Sequence, residues 1–346
     1  MTPVVESWWV LSPDTVDLQY LVGSGDPTMR EIGFIGVGGR AQSHLNTVAA
    51  SDIATVTAVC DVDETRVAAV ATEYQATEYT DHEAMYAAEA DLDAVFVCLP
   101  PFAHTDQETM AAERGIDLFV EKPLARTMEP ARTILDAIEA NDIIGAVGYQ
   151  LRYADATTRA AELLGDRAVG LVEGEYKSGV PGGPEHWWQV YERSGGQVIE
   201  QATHIYDLLR LFGGEPSAVQ AIGGHELVDK IDFEDVVSAN ITLEDGTVGH
   251  ITSTSASPEH ASGIEIIAAD ARLELSGNTL SGTVDGDPVD FEGENDATRT
   301  AGEAFLTAVD TGDPSTVRST YADAFRTFAL TLAVEESLQR DATVAV

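Results

Sequence analysis

Three groups of residues in this chain have types and spacings suited to chemistry. The first is Gly36-Val37-Gly38-Gly39-Arg40-Ala41, a GxGxxA turn that follows an apolar run and opens a helical pattern. Gly36 permits a tight turn, Gly38 lets the backbone approach a pyrophosphate, and the small Ala41 lets helix and strand pack closely. The helix N-terminus then faces the phosphates. Asp61 ends the next long apolar run, 20 residues past Ala41. A carboxylate there accepts from both hydroxyls of an adenosine ribose and repels a 2′-phosphate. The pairing points to NAD, with NADP left open because Arg40 or Arg66 can neutralise a phosphate. The second group is Glu121-Lys122-Pro123 at the end of another apolar run. A lysine at a strand end donates to a hydroxyl or carbonyl and stabilises negative charge on oxygen. The third is Glu200 and His204, spaced i, i+4 on one helix face after Gly195-Gly196, with Asp207 three residues further on. A carboxylate beside an imidazole orients the ring and supports its cation, as suits a general base.

These groups need elements to hold them. Apolar runs at 32–37, 56–60, 94–99, 118–120 and 143–147 are rich in β-branched residues, like strands buried on both faces of a parallel sheet. Helical patterns lie between them near 41–50, 64–74, 103–114 and 128–140. The alternation predicts an α/β fold with a doubly wound parallel sheet. It places Asp61, the Leu99-Pro100 segment and Lys122 at the carboxyl edge, where such sheets bind ligands.

After residue 150 the pattern changes. A helix near 154–164, a strand at 170–177, a Gly/Pro/Trp loop at 178–196 and a helix at 197–212 come first. Period-2 strands follow at 218–222, 236–243, 247–255, 264–268 and 272–275, with Glu244-Asp245-Gly246 as a hairpin turn. Helices near 298–310 and 315–339 close the chain. The expected organisation is a dinucleotide-binding domain over 29–150 and an α/β domain with a mainly antiparallel open sheet over 151–346. Residues 1–28 have no basic leader and no long apolar run, so they do not read as a secretory signal. They are expected to be a loosely packed extension, unless Met29 is the natural start.

Composition sets the boundaries. The 346 residues carry 59 acids against 19 bases, a formal net charge of −40, with 44% apolar residues. The apolar share is that of a globular protein, and the charge repels nucleic-acid backbones. No run of 18 apolar residues exists, which excludes a membrane-spanning helix. Only three lysines occur, at 122, 177 and 230. An acidic, lysine-poor surface over an ordinary core resembles cytosolic proteins of extreme halophiles, in which molar salt screens carboxylate repulsion. A cytoplasmic, halophilic protein is the expectation. Such a surface sheds lysines, so those that remain can be held by chemistry. Cys60 and Cys98 make no disulfide framework and no metal spacing, and no metal site is expected.

Taken together, the GxGxxA turn with Arg40 and His44, the Leu-Pro-Pro-x-x-His segment at 99–104, Glu121-Lys122-Pro123, Gly148-Tyr149-Gln150-Leu151-Arg152-Tyr153 and the Gly-Gly…Glu-x-x-x-His helix resemble the glucose–fructose oxidoreductase, inositol dehydrogenase and MocA family over roughly 29–340. The resemblance implies an NAD(P)-dependent dehydrogenase of sugar, cyclitol or polyol alcohols. It implies catalytic roles for Lys122, His204 and Glu200, where Glu stands in place of the family's usual Asp. It implies cofactor contacts from Gly36, Gly38, Gly39, Arg40, Ala41, Asp61, Leu99, Pro100, His104, Glu121, Lys122 and Gln150, the last where Asn is common. Substrate contacts fall on Arg152, Trp187, Trp188, Glu200 and His204. The two tryptophans either stack on a sugar ring or form a packed pair. The open antiparallel sheet is expected to mediate a homo-oligomer.

In the expected reaction His204 accepts the hydroxyl proton, Lys122 holds the same oxygen, and Glu200 orients His204 and binds a neighbouring hydroxyl. Lys122 as the base is the other assignment. Two further functions stay open: a glycosidase or lyase that returns the hydride it removes, and a non-catalytic cofactor-binding regulator.

Overall fold

The β-branched runs of the first half become one sheet buried on both faces. The computed structural model describes residues 29–346, so the expected extension lies outside the described residues. Along the chain come β1 (Arg30–Ile35), α1 (Ala41–Ala49), β2 (Ala54–Cys60), α2 (Glu64–Tyr74), β3 (Thr77–Tyr79), α3 (His82–Ala88), β4 (Ala94–Val97), α4 (Gln107–Glu113), β5 (Asp117–Val120), α5 (Met128–Asn141) and β6 (Gly145–Val147). The strand order is β3-β2-β1-β4-β5-β6 and every pairing is parallel. Strand order reverses between β1 and β4, which opens a crevice at the carboxyl ends. The edge strand β3 and the short α3 were not anticipated, because three half-exposed residues and one mixed turn carry little periodicity. The helix expected over 103–114 is a 3₁₀ turn at Pro101–Ala103 followed by α4.

The second half builds α6 (Asp155–Leu164), β7 (Val169–Gly179), the short turn α7 (Tyr191–Ser194), α8 (Thr203–Gly213), β8 (Pro216–Gly224), β9 (Val236–Leu243), β10 (Val248–Thr254), β11 (Ala256–Ala268), β12 (Ala271–Ser276), β13 (Thr279–Val284), β14 (Asp287–Glu292), α9 (Ala297–Thr311), α10 (Tyr321–Arg340) and β15 (Val344–Ala345). Nine strands form one sheet, β14-β13-β12-β11-β7-β10-β9-β8-β15, antiparallel except for β7 with β10. Alternating burial along β9 and β10 packs one face of this sheet and leaves the other open. Strands β13 and β14 carry few apolar residues, which hid them from the pattern.

The division at residue 150 needs one correction. Phe305 of α9 packs against Phe96 and Phe119 of the first sheet, with ring centroids 5.4 and 5.6 Å away. Tyr321, Phe325 and Phe328 of α10 join the other core of the parallel-sheet domain. The C-terminal helices therefore cover the first sheet as well as the second, which clamps the two units together. Hydrophobic periodicity identifies an apolar face but not the partner that buries it.

Candidate active site

The glycine turn is built as its residues demand. Gly36 has φ +79°, and a Cβ there would meet the Cys98 carbonyl oxygen at 2.5 Å. Side chains at Gly38 and Gly39 would meet nothing within 4 Å, so the backbone there is open to a ligand. Arg40 gives α1 no side-chain cap, which leaves first-turn N–H groups for an anion. Beside the turn, Asp61 is buried at the end of β2. Its carboxylate accepts from the Val37 and Asp63 N–H groups, both at 3.0 Å, and Arg66 Nη1 lies 3.0 Å from both oxygens. Near the same edge the Gln150 Oε1 is buried with no partner. An open glycine cradle, an uncapped helix start, a buried acid at the end of the second strand and an orphaned amide oxygen fit a bound dinucleotide.

Two expected cofactor contacts are turned inward instead. Glu121 lies in the interior, where its Oε1 accepts from Arg40 Nε at 2.8 Å and lies 2.7 Å from His44 Nε2. Burial pushes this carboxyl up, but the His44 hydrogen bond and the Arg40 charge outweigh it and hold it at about 2. Its Oε2 sits where a Gly148 side chain would be, 2.7 Å from an added Cβ. Glu121 thus ties the glycine turn to β5 from below. His104 is also internal: Nδ1 lies 2.5 Å from Glu108 Oε1 and Nε2 lies 3.3 Å from the Leu99 carbonyl. Desolvation opposes its cation, yet the Glu108 charge raises its pKa. His104 holds the 99–104 loop in shape. Leu99 and Pro100 stay half-buried along that loop, with Leu99 against the Gly36 turn.

Lys122 follows Glu121 and points the other way, across to the second unit. Its Nζ donates to Glu200 Oε1 at 2.7 Å and to the Glu200 carbonyl at 2.5 Å. The second carboxylate oxygen of Glu200 accepts from Trp188 Nε1 at 2.7 Å. Glu200 therefore does not orient His204, contrary to the i, i+4 expectation. Residues Val198–Ala202 form a π-helical turn, and α8 begins only at Thr203. The wider turn breaks the 3.6-residue register, and such insertions frequently mark functional sites.

His204 sits one turn on, with its ring edge-on to buried Tyr149 at 5.8 Å. Neither ring nitrogen has a protein hydrogen bond among the described residues, and Nδ1 is fully enclosed. Desolvation, then the charges of Lys122 and Arg40, push its pKa down to about 3. The imidazole is thus neutral at ordinary pH, the reverse of the cation that a neighbouring carboxylate would support.

The remaining expected contacts divide. Arg152 is not a substrate group. It is buried, forks onto Asp207 at 2.7 and 2.6 Å, meets Asp323 at 2.6 Å and donates to the Arg318 carbonyl. Asp207 is consumed in the same cluster rather than touching His204. Trp188 is 1% exposed and packs edge-on against Phe233, so it offers no face to a sugar. Trp187 is half-buried against Phe102 of the 99–104 loop, so it joins the second unit to the first. Sequence reasoning missed Trp188 as a donor to Glu200 and Tyr149 as a wall for His204. Their clustering around the quoted motifs was the only available signal.

Comparisons with known proteins agree with this two-part fold. The model of the oxidoreductase family with an NAD-binding Rossmann fold matches residues 30–149, and the GFO/IDH/MocA C-terminal domain matches residues 159–279. The chain is 28% identical over 301 residues to D-xylose 1-dehydrogenase (NADP(+)) 2 of Haloferax volcanii, covering 83% of this chain and 90% of that protein. It is 30% identical over 216 residues to inositol 2-dehydrogenase of Rhizobium meliloti, covering 61% and 64%. Among solved structures, levoglucosan dehydrogenase in complex with NADH and L-sorbose superposes with a TM-score of 0.82 at 19% identity, covering 92% of this chain and 98% of that one.

Proposed function

The chain belongs to the GFO/IDH/MocA family of NAD(P)-dependent oxidoreductases, and on that premise we propose that it oxidises a secondary alcohol of a sugar, cyclitol or related polyol at the cleft between its two sheets. The observation that carries the assignment is the Lys122–Glu200 pair, which joins the end of β5 to the helix bearing His204. Gly36, Gly38, Gly39 and Ala41 would hold the pyrophosphate, Asp61 the ribose, and Gln150 a polar edge of the dinucleotide or substrate. When bound, the nicotinamide supplies the hydride acceptor. Lys122 donates to the reacting oxygen and lowers its affinity for its proton. His204, neutral and without a protein partner, offers a free ring nitrogen to that proton, as a base weaker than a free imidazole because burial and the Lys122 charge oppose its cation. This assignment is favoured over Lys122 as base because two of the lysine's donors are already committed to Glu200. Trp187 is the tryptophan left to contact the sugar.

The coarser surroundings support three further readings. The open face of the nine-stranded sheet, with half-exposed Val248 and Val236, suits self-association into a homo-oligomer. The −40 charge suits a cytoplasm rich in salt. No helix among the described residues is long and apolar enough to cross a membrane. Residues 1–28 remain a proposed extension, with the dinucleotide unit beginning at 29.

Net NADH formation across sugars, inositols and glycosides in molar KCl tests the reading. Lys122→Ala and His204→Ala should each lower turnover by about 10²–10⁴-fold with NADH affinity retained, as expected of groups acting in the transition state. Glycoside cleavage without net NADH would replace this reading with the transient-hydride one.

A further inference from the structure

The grip on Lys122 extends one residue beyond the catalytic set. Glu200 has two carboxylate oxygens, and the structure spends them on different donors: Lys122 Nζ at 2.7 Å and the Trp188 indole N–H at 2.7 Å. An indole is a donor only, so Trp188 can hold nothing there except an acceptor. The ring cannot swing away easily, being 1% exposed and packed with Ile231 and Phe233. The geometry points to Trp188 as a positioning residue: its N–H fixes the Glu200 carboxylate, and Glu200 in turn aims Lys122.

This inference rests on the proposed role of Lys122 at the reacting oxygen. An ammonium has three donors. Two go to Glu200, one to its side chain and one to its carbonyl. The third N–H is then the one left for substrate oxygen, and its direction is set by the other two. Removing the indole N–H frees the Glu200 carboxylate to rotate, which loosens one of the two bonds that define that direction.

The test uses the scarcity of lysine. Trp188→Phe keeps an aromatic ring against Phe233 and deletes the donor together with the five-membered ring that carries it. An amine-reactive reagent is applied to the full chain, and labelling at Lys122, Lys177 and Lys230 is followed by peptide mass spectrometry. Loss of one hydrogen bond to a charged group should raise the labelling rate of Lys122 by about tenfold, while Lys177 and Lys230 stay unchanged. Glu200→Gln should raise it similarly, and the double variant should add nothing to Glu200→Gln, since groups acting in series are non-additive. Unchanged Lys122 labelling in Trp188→Phe, or a rise equal at all three lysines, overturns the proposal. If Trp188→Phe does not fold, the ¹H–¹⁵N indole signals of the native chain and Glu200→Gln decide instead. The Trp188 signal, identified by selective substitution of the other three tryptophans, must be the one that moves most; an unmoved Trp188 signal overturns the proposal. The labelling result is independent of turnover. Loss of the Lys122 role would show separately, as Lys122→Ala retaining full NADH formation.

Discussion

The neutrality of His204 makes a sharp prediction, because sequence reasoning pointed the opposite way. Free histidine titrates at 6.5, whereas burial and then the Lys122 and Arg40 charges hold His204 at about 3. At pH 5.5 an ordinary imidazole is about 90% cationic, and His204 should be under about 1% cationic. The unfolded chain then binds a proton that the folded chain refuses, so stability falls as pH drops below 6.5 and recovers as it rises. Between pH 7.5 and 5.5 this linkage removes about 1.4 kcal/mol. His204→Asn abolishes it. Urea unfolding of both proteins in molar KCl should therefore show the stability difference between them shifting by about that amount in favour of the variant at pH 5.5. Ring NMR of the native protein should show the His204 ring fixed in the neutral form across this pH range. Lys122→Met removes the largest charge effect on the ring and should raise the His204 pKa, yet leave it below 6.5 because burial is the largest cause. A His204 ring titrating near 6.5, with no pH-dependent difference in unfolding, would refute the reasoning.

Three other outcomes follow from the same geometry. Asp61→Ser should weaken NAD binding by about tenfold and narrow the preference over NADP, since it removes a charged acceptor and releases Arg66 toward a phosphate; tighter binding of NADP than NAD by the native chain, measured by fluorescence titration, would contradict this. Asp207→Asn leaves Arg152 and Arg210 under-compensated in the interior and should cost about 3–5 kcal/mol in urea unfolding. A loss below about 1 kcal/mol would mean that Asp323 alone suffices. The melting temperature should climb from about 0.1 M to 2–3 M KCl as screening relieves the −40 charge, and equal values at both would reject adaptation to salt.

The amino-acid sequence by itself determined the features that depend on near neighbours. A GxGxxA turn needs only its own glycines and the strand before it, and Asp61 needs only the next strand, so both were legible and stand together at the sheet edge. Lys122 was legible because β-branched runs reveal where a buried strand ends, and the −40 composition made a lysine there conspicuous. Local periodicity also gave the strands and helices of the first half apart from β3 and α3. What only tertiary structure decided is direction and partnership. Glu200 turns from His204 to Lys122 because five residues adopt a π-helical turn, a change of register that no i, i+4 count contains. Arg152 and His104 were expected as ligand contacts because the family resemblance implied it, but Arg152 meets Asp323 across 171 positions of chain, and His104 is claimed by Glu108. Trp188 and Trp187 are adjacent in sequence, yet one is sealed against Phe233 and the other stands by Phe102. The physical reason is common to all of them. Burial of a charge or a ring is set by whatever the fold brings against it, and those partners come from distant segments whose arrival leaves no periodic trace.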